Sequence, residues 1–211
     1  MSSREMKTKD RIVREALVLF SVKGYRGTSI KEIADAVGIR DSSLYKHFRS
    51  KREIFDTIVK NMQEHMNELS VRLGMPGDDM SAADAAGFYQ GIDKERLRTL
   101  ARQSLVFYLT DELVSGFWRL AHIEQYQEPE IYDMFRHIFM EQSLEYMTAL
   151  FHEMMERGAL VKADSGAAAM NFYAPVYFLL SRYSGRPECV EEACGILDRQ
   201  MDEFCRIYGA E

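Results

Sequence analysis

The segment Arg40–Phe48, with the sequence RDSSLYKHF, concentrates side chains that can make specific polar contacts. Leu44 and Phe48 are four residues apart, so on a helix they share one face and can be buried together. The remaining side chains then face outward, and most of them both donate and accept hydrogen bonds. These outward residues are Ser42, Ser43, Tyr45, Lys46 and His47.

The charge around this segment is one-sided. No acidic residue occurs between Asp41 and Glu53. The same stretch contains the cations Lys46, Arg49, Lys51 and Arg52. A polyanion with hydrogen-bonding edges, double-stranded DNA, fits such a surface. The alternative is a short exposed helix of an ordinary helical bundle.

Charge is also uneven along the whole chain of 211 residues, whose net charge is −6. Residues 1–60 hold 14 lysines and arginines against 8 acidic residues, and residues 61–211 hold 13 against 25. A basic head on an acidic body indicates one domain for phosphate and another for a different task. The overall charge argues against a generally basic coat protein for nucleic acid.

No targeting signal is recognisable, because the start, MSSREMKTKDR, lacks an apolar core. The longest apolar run, Phe172–Leu180, has nine residues, far fewer than a membrane span needs. The cysteines at 189, 194 and 205 form no C-x-x-C pair, which is typical of free thiols in a reducing compartment. We therefore expect a cytoplasmic protein without a membrane partner.

Catalytic chemistry finds little support in the sequence. His137 with Glu141, and His152 with Glu156, are four apart and could share a metal, but solvated or ion-paired helix neighbours are commoner. The sequence has no H-E-x-x-H, G-x-S-x-G or G-x-G-x-x-G. We therefore expect no enzyme activity, metal or cofactor.

The elements that position the polar segment are readable at the N-terminus. Apolar spacing predicts a first helix over residues 9–22, which Gly24 ends in a left-handed conformation. Ser29 and Glu32 form a capping box for a second helix that Gly38 closes. The polar segment then forms a third helix, giving a helix-turn-helix. A second capping box, at Ser50, begins a fourth helix that reaches residue 73.

The rest of the chain shows helical periodicity and no strand-like alternation, so the fold is predicted to be all-α. The further predicted helices cover residues 81–91, 93–108, 111–127 with Thr110 as cap, 129–157 closed by Gly158, 165–184 capped by Asp164 or Ser165, and 187–208.

Together these residues resemble the N-terminal domain of the TetR family of bacterial transcriptional regulators. The motif reads Gly24-Tyr25-x-Gly27-Thr28-Ser29-Ile30-x-x-Ile33-Ala34-x-x-Val37-Gly38-Ile39, then Leu44-Tyr45-x-His47-Phe48-x-Ser50-Lys51. The resemblance implies a helix-turn-helix DNA-binding domain over residues 1–56. It also implies a long helix leading to an effector-binding and dimerisation domain over residues 57–211.

The resemblance also implies roles for individual residues. Thr28 and Ser29 would offer free N–H groups to phosphate, Tyr45 and His47 would contact phosphate and groove, Lys51 would bind phosphate, and Ser42, Ser43 and Lys46 would read bases. Ser29 is alternatively a cap alone, and Tyr45 a packing residue. Arg40 departs from the family's small capping residue, so we expect Asp41 to cap the third helix and Arg40 to reach DNA.

The last two predicted helices carry an apolar stripe, which in isolation is more often core than interface. The resemblance implies dimerisation through these helices, and the residues expected at the interface are Tyr173, Tyr177, Cys194, Leu197, Met201 and Phe204. Aromatic and polar residues in the middle of the chain suggest an effector pocket, or an ordinary core. The expected pocket residues are Phe107, Trp118, His122, Tyr126, Phe135 and Phe139.

We therefore predict a regulator that binds a palindromic operator as a homodimer and is released by a small molecule, and the family resemblance favours a repressor. One alternative keeps the DNA-binding head but makes the protein an activator or places it under a protein partner. The other is an α-helical enzyme or ligand carrier. The effector, the operator and the regulated genes are not readable from the sequence.

Overall fold

A computed structural model describes residues 7–76, 80–90 and 93–210. Within these ranges the chain is helical and has no strand beyond an isolated antiparallel bridge between Leu160 and Gly209. The all-α prediction is confirmed. No helix of these ranges is long and apolar enough to span a bilayer.

The helices follow one another closely. In chain order they are α1 (Thr8–Lys23), α2 (Ile30–Val37), α3 (Asp41–Leu44), α4 (Lys51–Leu73), α5 (Ala82–Gln90), α6 (Lys94–Thr110), α7 (Glu112–Glu124), α8 (Pro129–Arg136), α9 (Gln142–Glu156), α10 (Ser165–Tyr183) and α11 (Val190–Tyr208). A π-helical turn, His137–Glu141, joins α8 to α9, and a 3-10 turn, Pro187–Cys189, precedes α11.

Two compact units make up the chain. The first contains the residues up to Met66 together with Asp111–Asp133, and the second contains Asn67–Thr110 and the residues from Met134 onward. The first unit therefore includes α7, which lies far from α1–α3 in sequence. The boundaries between the units fall within α4, between α6 and α7, and within α8.

Local sequence explains the ends of the first helices. Ser29 caps α2, with its hydroxyl accepting from the Glu32 N–H while the Glu32 carboxylate accepts from the Ser29 N–H, so the predicted capping box is confirmed. Gly38 closes α2 at φ 76° and ψ 35°, a left-handed conformation that glycine adopts without strain. Gly24 also has positive φ, but its ψ of 166° is extended, so the predicted left-handed helical cap is wrong there.

Other predicted caps need correction. The Ser50 hydroxyl accepts from the Glu53 N–H, as predicted. The Glu53 carboxylate, however, accepts from the backbone N–H of Arg49 and not from that of Ser50, so only half of the second capping box forms. Asp111 caps α7 because its carboxylate accepts from two N–H groups. Thr110 instead ends α6, with its hydroxyl donating to the Val106 carbonyl at 2.7 Å.

Most predicted helix bounds in the second unit hold to within a few residues. The helix predicted over 129–157 is interrupted by the π-helical turn, and Gly158 follows it with φ 72°. Asp164 caps α10 as predicted. Residues 77–79 of the predicted break and Gly91 of the predicted 81–91 helix lie outside the described residues.

The interior of the second unit contains an aromatic cluster. Phe151, Phe172 and Phe204 pack with ring centroids 5.1–5.6 Å apart. They join α9 to α10 and α11, and Phe151 and Phe204 are buried. Burial of these large apolar surfaces stabilises the three-helix arrangement.

Candidate nucleic-acid interface

Residues 41–48 turn two side chains inward and most of the others outward. Leu44 and Phe48 are 0% and 1% exposed, so the predicted burial of this pair is confirmed. Regular α-helix ends at Leu44, but the Phe48 N–H still donates to the Leu44 carbonyl at 3.1 Å. Ser42, Tyr45, Lys46 and His47 are exposed, and Ser43 is half-buried. The two buried side chains thus anchor a short helical surface of hydrogen-bonding groups.

Several cations around this surface have no internal partner. Among the described residues, the side chains of Arg40, Lys46 and Arg49 take part in no ion pair. Arg52, by contrast, pairs with Asp56 at 2.8 Å and Glu130 at 2.9 Å. Exposed cations without carboxylate partners are available to phosphate. Arg49 was not among the predicted contacts, although its place in the acid-free stretch could have identified it.

The start of α3 differs from the prediction. Arg40 itself is the N-cap residue, in an extended conformation, and α3 begins at Asp41 without any side-chain cap. The expectation that Asp41 caps the helix is therefore wrong. The Ser43 and Leu44 N–H groups donate to the Arg40 carbonyl instead. The Arg40 side chain is exposed, which leaves its guanidinium group accessible.

The backbone N–H groups of Thr28 and Ser29 are already used within the protein, contrary to the expectation that both are free for phosphate. The Ser29 N–H donates to the Glu32 carboxylate at 2.8 Å, and the Thr28 N–H lies 3.4 Å from the Tyr25 carbonyl. Thr28 is 1% exposed, and its hydroxyl donates to the Gly24 carbonyl at 2.9 Å. Thr28 therefore holds the turn before α2 together and is removed from the candidate DNA contacts.

Lys51 is committed largely to the protein. Its Nζ donates to the carbonyls of Tyr25 and Thr28 at 2.7 and 2.9 Å and lies 4.3 Å from the centre of the Tyr25 ring. Burial lowers the pKa of Lys51, while the nearby Glu124 carboxylate opposes the shift. An ammonium group has three N–H donors, so one remains for phosphate. Lys51, which was expected to bind phosphate, therefore first holds the turn at Tyr25 and Thr28 in place.

Helix α7 packs closely against α1 within the first unit. A Cβ added at Gly116 would lie 2.9 Å from Leu17 Cδ2, so a larger residue there would require the Leu17 side chain to shift. Near the start of α7, Asp111 lies 3.1 Å from the His65 ring of α4. Beyond its end, Glu128 pairs with Arg26. Sequence reasoning missed this association, because no local pattern connects residues so far apart in the chain.

Glu124, the last residue of α7, is buried against the turn before α2. Its Oε1 accepts the Tyr25 N–H at 2.5 Å, and its exposed fraction is 1%. The carboxylate lies so near Gly24 that a Cβ there would be 2.4 Å from Oε1. This contact joins residues 99 apart in sequence and was not predicted.

The predicted effector residues are divided between the two units in sequence. Trp118 and His122 stack at 5.3 Å in the first unit, while Phe135 and Phe139 stack at 5.1 Å in the second. Tyr126 is 89% exposed, and its role in effector binding stays a prediction.

Phe107 is half-buried in the second unit and lines a cleft of about 730 Å³ between the end of α4 and α6. The cleft walls combine apolar side chains such as Leu69 and Val106 with the cations Arg72 and Arg96. A volume of this size suits a small molecule.

The predicted dimer residues point into their own subunit. Cys194, Leu197, Met201 and Phe204 are at most 6% exposed, and Tyr173 is 9% exposed with its hydroxyl donating to the Phe139 carbonyl. Tyr177 is half-buried. The apolar stripe is therefore core, as it would be in isolation, and the interface prediction is corrected for these buried residues.

A different face of α10 and α11 is exposed and apolar. Met170, Phe178 and Ile207 are 50%, 57% and 48% exposed. They border a groove of about 640 Å³ whose floor includes Pro175 and Ile196. We refer to Met170, Phe178 and Ile207 as the outer apolar face.

The anchored helical surface after a glycine turn, bordered by exposed cations, defines a helix-turn-helix regulator. Family comparison agrees. Residues 12–58 match the model described as bacterial regulatory proteins, tetR family, and residues 95–209 match the AefR-like transcriptional repressor C-terminal domain. The chain belongs to the tetR family of bacterial regulatory proteins. It is a DNA-binding regulator and not an enzyme, as predicted.

Curated relatives match a part of the chain. The negative transcriptional regulator IcaR of the icaADBC biofilm operon, from Staphylococcus aureus strain Newman, is 44% identical over 61 residues, which are 29% of this chain and 33% of IcaR. The chain thus matches about a third of the length of these relatives.

Solved structures share the fold over nearly the whole chain. A TetR transcriptional regulator from Chloroflexus aurantiacus superposes with a TM-score of 0.66 at 20% identity, over 97% of each chain. The SmeT–triclosan complex gives a TM-score of 0.69 at 20% identity, over 97% of this chain and 92% of SmeT.

Proposed function

We propose that this regulator is a repressor that binds a palindromic operator as a homodimer and releases it when a small molecule binds. The observation that carries the DNA-binding part is the surface of residues 41–48, anchored by two buried side chains and bordered by cations without internal partners. Repression is supported by the IcaR relatives, which are negative regulators. Such a protein acts in the cytoplasm, where bacterial DNA lies.

Each exposed residue of the surface has a role that follows from its chemistry. Ser42, Ser43 and Lys46 contact base edges in the major groove, since lysine bonds guanine and serine bonds any base. Tyr45 and His47 donate to phosphate oxygens or the groove edge. Arg40 and Arg49 neutralise phosphates on either side of the segment. Ser29 adds no contact beyond capping α2.

Dimerisation is supported by the outer apolar face. Three large apolar side chains exposed on two adjacent helices are the kind of surface that a second protein covers. A two-fold dimer places two copies of residues 41–48 on one duplex, and the operator is then palindromic.

The effector is proposed to bind among body helices. The cleft at Phe107 has the volume for it, and the triclosan complex shows that SmeT, a fold neighbour, accepts a small molecule. Binding there would shift the population between DNA-competent and incompetent arrangements. Native mass spectrometry of cell-expressed protein is the first measurement, since a retained ligand appears as a discrete mass increment that disappears after denaturation.

The DNA-binding proposal is tested with duplexes that the wild-type protein selects from a random pool. Tyr45→Ala and Lys46→Ala should weaken binding by about 1–3 kcal/mol each, roughly 5- to 150-fold, without loss of helicity. Tyr126→Ala and Lys60→Ala are matched controls, because Tyr126 is 89% exposed and Lys60 already pairs with Glu64.

Titrations at several salt concentrations complete the test. Phosphate neutralisation predicts that log affinity falls linearly with log salt, by about 0.9 per phosphate contacted. If both variants bound like wild type, residues 41–48 would not be the reading surface. If the wild-type protein selected no duplex, the DNA-binding proposal itself would fail.

A further inference from the structure

Glu124 carries a buried carboxylate at the C-terminal end of α7. It is 1% exposed, and its Oε2 is buried without a hydrogen-bond partner among the described residues. Its Oε1 accepts the backbone N–H of Tyr25 at 2.5 Å. Burying a carboxylate is unfavourable unless a specific interaction offsets it. The turn before α2 supplies that interaction.

The turn is shaped around this carboxylate. At Gly24 the backbone has φ 78°, and an added Cβ would meet Glu124 Oε1 at 2.4 Å. A side chain at this position would therefore displace the carboxylate. The Thr28 hydroxyl closes the same turn by donating to the Gly24 carbonyl. Residues 24–28 thus wrap the end of α7.

The turn is rigidly connected to α4. The Tyr25 ring packs against Phe20 at 5.3 Å and Phe55 at 5.6 Å. Lys51 of α4 donates to the Tyr25 and Thr28 carbonyls. A shift of the Tyr25 backbone would therefore displace the start of α4 as well as the start of α2.

The same turn leads directly into the DNA-facing part of the unit. Ser29, the next residue after Thr28, caps α2, and α2 packs against α3. The orientation of residues 41–48 therefore depends on where the turn is held. Groups that contact a duplex tolerate only small misplacements, because hydrogen bonds weaken steeply with poor geometry.

We propose that Glu124 is a positioning residue for DNA binding: its carboxylate fixes residues 24–28, and through them the orientation of α2 and residues 41–48. A displacement of the end of α7 would consequently lower operator affinity without unfolding the unit. This inference rests on the proposed function, since it assigns a role within DNA binding to a residue that does not touch DNA.

The test separates the length of the side chain from its charge. Glu124→Asp keeps the carboxylate but draws it back by one methylene, so the bond to the Tyr25 N–H is lost or the turn moves. Glu124→Gln keeps the length and an amide oxygen that can accept the same N–H. Glu112→Asp is the matched control, because Glu112 lies at the other end of α7 with its side chain 77% exposed, 3.3 Å from Arg14.

Affinity for the selected duplex is measured by fluorescence anisotropy, well below the unfolding temperature and corrected for the active fraction. Glu124→Asp should weaken binding at least about tenfold, while Glu124→Gln and Glu112→Asp should stay within about threefold of wild type. Amide hydrogen exchange should accelerate at residues 25–29 in Glu124→Asp but not at the buried residues of α2. A general loss of stability would accelerate both regions.

The outcomes separate the two proposals. If wild type binds the duplex and folded Glu124→Asp binds equally well, Glu124 has no positioning role. If Glu124→Gln is as weak as Glu124→Asp, the hydrogen bond to Tyr25 is not what positions the turn, and the inference is overturned. If wild type selects no duplex at all, the proposed function fails and the inference fails with it.

Discussion

Residues 41–48 and the outer apolar face are both exposed surfaces on helices whose other face is buried, yet they expose opposite chemistry. Around Leu44 and Phe48, burial removes the apolar side chains and leaves hydroxyl, imidazole and ammonium groups outside. On α10 and α11, the stripe that includes Leu197 is buried and Phe178 is still 57% exposed. The core of the second unit thus does not absorb all the apolar residues of its last two helices.

The two surfaces show which side chains of a helix indicate its partner. Both regions have an apolar stripe in sequence, and in both the stripe is core. The partner is indicated by the side chains that stay exposed once the apolar stripe is buried. Exposed polar and cationic groups indicate a duplex, and exposed apolar groups indicate a protein surface. Substitutions of single exposed residues on each surface test this difference.

The largest effect is expected from Phe178→Lys. A lysine in the centre of the outer apolar face should cost the proposed dimer about 3 kcal/mol per side chain, more than a hundredfold in affinity. Analytical ultracentrifugation should show folded monomers, and operator affinity should fall with the dimer. Val71→Lys is the control, since Val71 is 70% exposed on α4 outside this face. A dimer unaffected by Phe178→Lys would place the interface elsewhere.

A second prediction concerns Cys194, which the sequence pattern assigns to the interface and the structure to the core. Because it is 0% exposed, and burial raises the pKa of its thiol, thiol reagents should react with it on the order of a hundredfold more slowly than in the unfolded chain. This protection should persist in the monomeric Phe178→Lys variant. Rapid labelling of Cys194 in that monomer would instead indicate that Cys194 lies at the dimer interface.

A smaller effect is expected from Arg49→Gln. Arg49 has no ion-pair partner among the described residues, so its loss should weaken operator binding about fivefold and reduce the salt slope by about 1. Arg52→Gln is the contrast, because Arg52 already binds Asp56 and Glu130. Equal changes in salt slope for the two variants would show that internal pairing does not decide which cations meet phosphate.

The smallest effect is a pH dependence of the first unit. A hydrogen bond from Lys23, then one from the Ser29 N–H, lowers the pKa of Glu32 to about 2 from 4.5. Because the folded pKa is lowered, the stabilisation is present above pH 4.5 and is lost as the pH falls toward 2. Glu32→Gln should flatten urea midpoints across this window, whereas Asp35→Asn on the same helix should not. Parallel curves for Glu32→Gln and wild type would contradict this.

Local chemistry allowed much of the first unit to be predicted. The apolar spacing of Leu44 and Phe48, the cap at Ser29 and the turn at Gly38 each act within a few residues, and each is found. Asp111 as the cap of α7 was also within reach, since aspartate is a stronger N-cap than the threonine that precedes it.

What the sequence could not provide are contacts between distant segments. Lys51 resembles a free phosphate-binding cation until the turn at Tyr25 places two carbonyls beside it. Glu124 looks like any acid near a helix end, and nothing near it in sequence indicates a partner 99 residues away. Likewise, the stripe containing Leu197 identifies apolar residues but not which neighbouring helix covers them.

The close approach of Gly24 and Glu124 has a consequence for inheritance. A larger residue at 24 displaces the Glu124 carboxylate, and a smaller residue at 124 removes that contact. Positive φ would still make that pair of changes unfavourable by roughly 1 kcal/mol. The two codons, a hundred positions apart, therefore constrain one another's drift, and a lineage that alters one should carry a compensating change in the other.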